Sequence, residues 1–235
     1  MVSPSDKEYV STKLIMKGEA KMENDFMPLA DYINKKYIVN TLNIIYDAID
    51  NDTRPRLNII FEKFEEAEKF KKKFGFDEVK QREIATQFKM TLINQGLAIK
   101  KNIWNYFSPH NSDKYKTENI WIIFSAFEPI AKTEVTWKIT KEEIHNLKSQ
   151  LNMEDLWEIH KGTYGTPTFF FYNDIQATQN ANNEARLLLT EKYFALLKKY
   201  DEMNYFKREE FFIHIDSKEN LERNYEGNWF NYDRR

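Results

Sequence analysis

The chain has 235 residues, and its 35 Lys and Arg against 37 Asp and Glu give a net charge of −2 at pH 7. It holds six glycines, no cysteine, 18 Phe, 13 Tyr and 5 Trp. The lack of cysteine excludes disulfides, thiolate metal sites and a cysteine nucleophile. The scarcity of glycine disfavours sites in which the backbone cradles a cofactor, and the balanced charge argues against strong nucleic-acid binding.

The N-terminal region is polar and lacks a sustained hydrophobic period. Residues 1–25 are therefore expected to form a flexible arm, with order beginning near Phe26. The first residues lack the apolar core of a signal peptide, and no stretch approaches the ~20 apolar residues of a membrane span. We expect a soluble cytoplasmic protein with no membrane partner.

The next hundred residues favour a hairpin followed by two helices. Two apolar runs flank the turn cluster Asp50–Pro55, which predicts an antiparallel pair over 38–61. A stripe from Phe64 to Phe74 indicates a helix that Gly75 ends, and a second helix is expected to end near Gly96. Residues 100–118 form a long connection and the best internal boundary.

Beyond this connection the pattern predicts two strands and a capped helix. Ile120–Phe127 is apolar on both faces, which is typical of a central strand. Val135–Ile139 alternates apolar with polar residues, which indicates a strand with one solvent-exposed face. Thr140 and Glu143 have the spacing of a capping box that begins a helix.

The last third is predicted to alternate between helix and strand. A helix is expected over 155–160, a buried strand over 168–172, a polar loop over 173–183 and the strongest helix over 184–200. A strand over 211–215 and a short helix ending at about Tyr225 follow.

These elements predict an α+β or α/β fold, in which helices pack on a mixed β-sheet built from repeated strand-helix units. Residues 26–235 are expected to form a single domain. The alternative is a division into two subdomains at 26–100 and 119–235.

The candidate catalytic residues centre on the few histidines, because the 37 acidic residues offer too many carboxylates to single out a pair. His214 and Asp216 stand two apart on a predicted strand, so their side chains share a face and can contact each other. His160 and Glu158 lie just before the buried strand predicted over 168–172 and would complete a convergent site. Without a nucleophile motif, structural roles for these residues are favoured, and no histidine spacing indicates a metal site.

Aromatic clusters are the candidate binding residues. The tail holds four of them within eight residues, and Tyr and Trp dominate binding hot spots; the alternative is that these rings complete the core. A glycine-containing loop before the 168–172 strand adds one more aromatic candidate, but this loop lacks any nucleotide-binding motif. The candidates are Tyr225, Trp229, Phe230 and Tyr232 in the tail, Trp104 and Tyr106 in the long connection, and Tyr164 in the loop.

Together these features favour a non-catalytic intracellular protein that binds another protein and needs no cofactor and no metal. The profile, free of cysteine, poor in glycine and rich in acidic and aromatic residues, resembles that of bacterial immunity or inhibitor proteins, although no specific motif carries the resemblance. A hydrolase-like enzyme with a His/Asp site is the alternative. A nucleic-acid-associated protein is the third hypothesis, and it would need a basic surface that cancels in the total charge.

Overall fold

The computed structural model describes residues 3–51, 53–98, 114–162, 165–182 and 184–234. The fold is α+β, as the sequence predicts, with helices packed on mixed sheets. The chain divides into two compact units, Met1–Pro129 and Ile130–Arg235. Within the described ranges, no helix combines the length and the apolar character needed to cross a membrane.

The first unit begins with a helix in the region expected to be flexible. Helix α1 spans Lys7–Met16, and Tyr9 and Thr12 on it are buried. The Tyr9 ring stacks on that of Phe127 with 5.0 Å between centroids. A few tertiary contacts, rather than an apolar stripe, therefore hold α1, so hydrophobic periodicity did not predict it. A 3₁₀ turn at Asn24–Phe26 then leads into α2 (Met27–Tyr37).

A three-stranded mixed sheet forms the centre of the first unit. Strand β1 (Thr41–Ile49) pairs antiparallel with β2 (Arg54–Phe61), which confirms the predicted hairpin. Strand β5 (Trp121–Ala126) pairs parallel with β2, so the order is β1-β2-β5. The prediction that this last segment is a central strand is wrong, because β2 occupies the centre. Ile122 and Phe124 on one face of β5 are buried, whereas the alternate residues are only half-buried.

Between β2 and β5 the chain departs from the predicted long helix. Helix α3 spans only Phe64–Glu68, and the strands β3 (Lys71–Lys72) and β4 (Gly75–Phe76) follow it, before α4 (Glu78–Asn94). Gly75 is not a helix cap; it has φ +101° and closes the turn between the two short strands. The stripe was misleading because it spans two elements: Ala67 is buried in the helix and Phe70 at the start of the hairpin, whereas Phe64 and Phe74 are exposed.

The second unit contains a similar three-stranded mixed sheet. Strands β6 (Leu156–His160) and β7 (Thr168–Phe171) pair antiparallel, and β8 (His214–Ser217) pairs parallel with β7. The described residues thus form two three-stranded mixed sheets, besides the two-stranded pair of β3 and β4, where the sequence predicts one mixed sheet. The repeated strand-helix units stay a prediction. The helices are α5 (Glu128–Lys138), α6 (Lys141–Leu151), α7 (Asp174–Ala181), α8 (Glu184–Lys198), α9 (Lys218–Tyr225) and α10 (Trp229–Asp233).

Two predictions in this unit are wrong for identifiable reasons. The segment 135–139 lies in and just after α5, because the buried Ala131, Val135 and Ile139 are four residues apart and so also fit a helical stripe. The segment 155–160 is strand β6, whose register shifts between Leu156 and Glu158. This irregularity breaks the alternation of a strand and left a spacing that resembled a helix.

A third wrong prediction concerns the loop expected over 173–183. Residues 174–181 form α7, and the side chain of Asn173 caps it by accepting from the amide of Gln176 at 2.9 Å. Asparagine is favoured at this capping position as well as in loops. An asparagine-rich composition alone therefore cannot distinguish a loop from the start of a helix.

Candidate functional site

One face of the second sheet carries all four residues of the enzyme hypothesis. Residues directly paired across a sheet project from the same face. In the observed register, His160 and His214 both pair with Thr168, and Glu158 and Asp216 both pair with Phe170. The alternate residues Ile159, Phe169 and Ile215 face the opposite side, where the main core of the unit lies.

The C-terminal segment covers this polar face. Asn228 caps helix α10, and its side chain accepts from the amides of Phe230 and Asn231. Tyr232 is buried, with its ring 5.0 Å from that of Phe170 and 5.1 Å from that of Tyr225. The tail therefore forms a small second core with Phe170. This agrees with the alternative stated for the tail, that its rings complete the core.

Three parallel rings stack where the tail meets β6. The Trp229 ring lies between those of Trp157 and His160, at centroid distances of 6.0 Å and 4.5 Å, and is tilted by only 8° from each. The Nε2 atom of His160 lies 2.8 Å from Oδ1 of Asp233, one turn further along α10. We call Trp157, Trp229, His160 and Asp233 the Trp229 stack.

The Trp229 stack opens into a groove of about 840 Å³ along β6, which is an edge strand of its sheet. Helices α5 and α6 form the opposite wall, which we define by Trp137, Lys141, His145 and Lys148, while Lys161 and Gly162 lie at the end of β6. We call this feature the β6 groove. Trp137 leaves 60% of its surface in solvent.

Two lysines of the β6 groove are fixed by backbone carbonyls. Lys161 Nζ donates to the carbonyl oxygens of Thr136 and Ile139, at 3.2 Å and 2.8 Å, near the end of α5. Its partial burial lowers its pKa. Lys148 Nζ donates to the carbonyl oxygen of Trp157 on β6. These bonds hold both charges at defined positions on the wall.

The carboxylate of Asp216 has structural partners. Its Oδ2 accepts from the Tyr232 hydroxyl at 2.7 Å, and its Oδ1 accepts from Asn220 Nδ2 at 2.8 Å. The next residue, Ser217, caps α9. His214 is exposed on the same strand, with its ring 5.4 Å from that of Phe212. Asp216 thus ties the tail to the sheet.

The structure places most, but not all, of the predicted site residues near the tail. Trp229, His160 and Glu158 line the β6 groove. Tyr232 is buried between α10 and the sheet, whereas Phe230, also on α10, is exposed. Trp104, Tyr106 and Tyr164 lie outside the described residues.

Sequence reasoning missed Trp137, Lys141, Lys148 and Asp233 as groove residues. The capping box before Lys141 was the available signal, because it fixes the helix on which Lys141 and Lys148 share a face. No comparable signal marked Asp233.

The described residues contain no group of three or more His, Asp or Glu side chains that could hold a metal ion. Comparison with protein-family models, curated proteins and solved structures found no significant match to this chain.

Proposed function

We propose that the protein is a cytoplasmic, non-catalytic binding protein, and that its second unit receives an extended acidic segment of a partner protein in the β6 groove. The observation that carries the proposal is the combination of the Trp229 stack with three lysines that line the groove beside one edge strand. Edge strands and the grooves beside them are recurrent docking sites for extended peptides.

The aromatic rings supply the expected binding energy. Trp137 stands at the rim of the β6 groove with 60% of its surface exposed. Burying such a ring against a partner contributes about 2 kcal/mol, and tryptophans are enriched among the residues that dominate binding. The Trp229 stack gives this anchor a rigid neighbour, so little conformational entropy is lost on binding.

The charges of the β6 groove select the partner. Lys141, Lys148 and Lys161 face two carboxylates, Glu158 and Asp233, and the latter is already held by His160. The lining is therefore net positive although the whole chain is net negative. Complementary charge speeds encounter and disfavours basic competitors.

The test is selection from a displayed library of short random peptides on the immobilised full-length protein. We expect the enriched peptides to combine acidic residues with an apolar anchor. Replacing the exposed Trp137 by Ala should weaken a selected peptide about tenfold, since one hot-spot ring is lost. Lys141→Glu should also weaken it and should reduce its salt dependence.

The matched control is Phe212→Ala, which removes another exposed aromatic ring of the same unit that does not line the β6 groove. Its affinity for the selected peptides should stay at the wild-type level. Enrichment that is equal on wild type and Trp137→Ala, or enrichment of basic peptides, would contradict the proposal.

A hydrolytic activity at the same groove is the second candidate, and the His160–Asp233 contact of 2.8 Å favours it. A carboxylate that orients an imidazole prepares it to act as a general base toward water. The measurement is turnover of a panel of chromogenic carboxylic and phosphoric esters. Activity that disappears in both His160→Gln and Asp233→Asn would support this candidate, whereas equal rates in wild type and variants would eliminate it.

A further inference from the structure

A short lysine-rich hairpin projects from the first unit. It consists of Lys69–Phe76, includes β3 and β4, and has Lys73 and Phe74 at its turn. We call this segment the Lys-Phe hairpin. Phe70 is fully buried, 4.8 Å from the ring of Phe61, and Phe76 packs edge-on at 5.3 Å from Phe124. The two ends of the hairpin are therefore anchored in the core.

The tip of the Lys-Phe hairpin exposes an aromatic ring that the fold does not use. Phe74 leaves 89% of its surface in solvent, the highest exposure among the large apolar residues described. The Nζ atom of Lys73 lies 5.3 Å above its ring centroid. Because both ends of this short segment are anchored, Phe74 cannot fold back into the core without breaking the hairpin. An apolar ring held in this way is suited to an external apolar environment.

The charges around Phe74 are of one sign. The eight residues of the Lys-Phe hairpin include four lysines and no acidic residue. Lys71 pairs with Glu68 and Lys72 with Asp77, both of which flank the hairpin at its base. The oxygen of Asp77 is also held by the amide of Val79 at the start of α4. The carboxylates thus belong to the base, and the turn carries only positive charge.

A second exposed apolar residue adjoins the base of the hairpin. Ile38 ends α2 with φ +54° and 82% of its surface exposed, although β-branched residues rarely adopt this left-handed conformation. Its carbonyl oxygen accepts from Lys69 Nζ at 2.6 Å, which joins it to the first residue of the hairpin. Backbone strain of this kind clusters at functional positions.

We propose that the Lys-Phe hairpin docks on an anionic lipid surface, with Phe74 entering the headgroup boundary and the lysines contacting anionic headgroups. Stable attachment of this kind combines an apolar insertion with basic residues and needs no membrane-spanning segment. The expectation that the protein has no membrane partner considered only leader and spanning segments. A convex tip with one ring suits a soft surface, whereas single-stranded nucleic acid requires a groove with successive stacking rings. This inference is independent of the proposed function.

The experiment uses sedimentation of the full-length protein with vesicles of phosphatidylcholine, with and without phosphatidylserine. We expect binding only when phosphatidylserine is present, and weaker binding at high salt. Phe74→Ser should weaken it about tenfold, and Lys73→Gln about fivefold. Phe230→Ser is the matched control. The Phe230 ring is also exposed, and its centroid lies 4.9 Å from the guanidinium carbon of Arg234, but it is outside the hairpin. This variant should bind like wild type.

Because the chain has no cysteine, a single introduced cysteine can carry an environment-sensitive dye. The fluorescence of a dye on Phe74→Cys should shift to the blue with phosphatidylserine vesicles, and that of a dye on Phe230→Cys should not. Equal binding to neutral vesicles, undiminished binding by Phe74→Ser, or a shift produced by a single-stranded RNA oligonucleotide but not by vesicles would overturn the proposal.

Discussion

The packing of Gly165 against Phe206 gives the most sharply defined stability prediction. Gly165 has φ +84°, and a Cβ atom placed on it would lie 2.4 Å from Cζ of Phe206. The Phe206 ring has little freedom to move, because the side chain is buried and its amide donates to Oδ2 of Asp201 at 3.0 Å. The Asp201 carboxylate also accepts from the amide of Tyr205 at 2.9 Å. Gly165→Ala must therefore strain the backbone and overpack the core together.

The expected cost is the sum of two terms. A left-handed conformation costs an alanine about 1–2 kcal/mol, and overpacking a core costs about 1–3 kcal/mol. Gly165→Ala should thus lower the free energy of unfolding by about 2–5 kcal/mol, measured by urea denaturation of the full-length protein. Gly227→Ala is the matched control, because Gly227 has φ +68° and no neighbour within 4 Å of its Cβ position. It should cost only the backbone term.

A double-mutant cycle then separates the two terms. Leucine at position 206 lacks the Cε1 and Cζ atoms that meet the new methyl group, so Gly165→Ala should cost less in a Phe206→Leu background. There its cost should approach that of Gly227→Ala. The reasoning is refuted if Gly165→Ala costs the same in both backgrounds, or no more than Gly227→Ala in the wild type.

Three further predictions concern single polar groups, each measured by urea denaturation. Tyr232→Phe should destabilise by about 1.5 kcal/mol, because it removes the donor at 2.7 Å from Asp216 and keeps the ring. An equal loss on Tyr232→Phe in the wild type and in an Asp216→Ala background, which lacks the acceptor, would contradict this coupling. Glu143→Gln should flatten the loss of stability in acid. A hydrogen bond from the Thr140 amide and one from the Tyr200 hydroxyl lower the pKa of Glu143, so its stabilising contribution is present above pH 4.5 and is lost as the pH falls through the lowered pKa. Unchanged acid sensitivity in the variant would count against this reasoning. Tyr193→Phe should stabilise by about 1 kcal/mol, because the buried Tyr193 hydroxyl has no hydrogen-bond partner within the described part of the chain; a destabilised variant would reveal a missing partner.

Local sequence signals predicted the elements whose determinants are close together in the chain. The capping box of Thr140 and Glu143 begins α6 as expected, with both reciprocal hydrogen bonds formed. The turn cluster before Pro55 likewise gave the hairpin of β1 and β2. In each case a few neighbouring residues settle the conformation by satisfying backbone groups or by requiring a turn.

Elements decided by distant contacts were not predictable in the same way. The register irregularity after Leu156 changes which side chains face the core, and nothing local to the strand reveals it. The candidate site shows the same limit, because His160 meets Asp233 across 73 positions of sequence. Proximity in sequence favoured Asp216 as the partner of a histidine, and in the structure Asp216 also accepts from the Tyr232 hydroxyl, which is 16 residues away.

The total charge was a sound measure of the whole chain and a poor guide to its surfaces. A net charge of −2 disfavours anionic partners only if a partner interacts with the charge of the whole chain. At physiological ionic strength, however, electrostatic interactions are screened beyond about 8 Å. A docking segment therefore responds to the charges within a few residues of its contact. The four lysines of the Lys-Phe hairpin and the three of the β6 groove are each local concentrations of this kind. Both proposed partners, an acidic protein segment and an anionic lipid surface, should accordingly lose affinity steeply with salt, although the protein itself is weakly acidic.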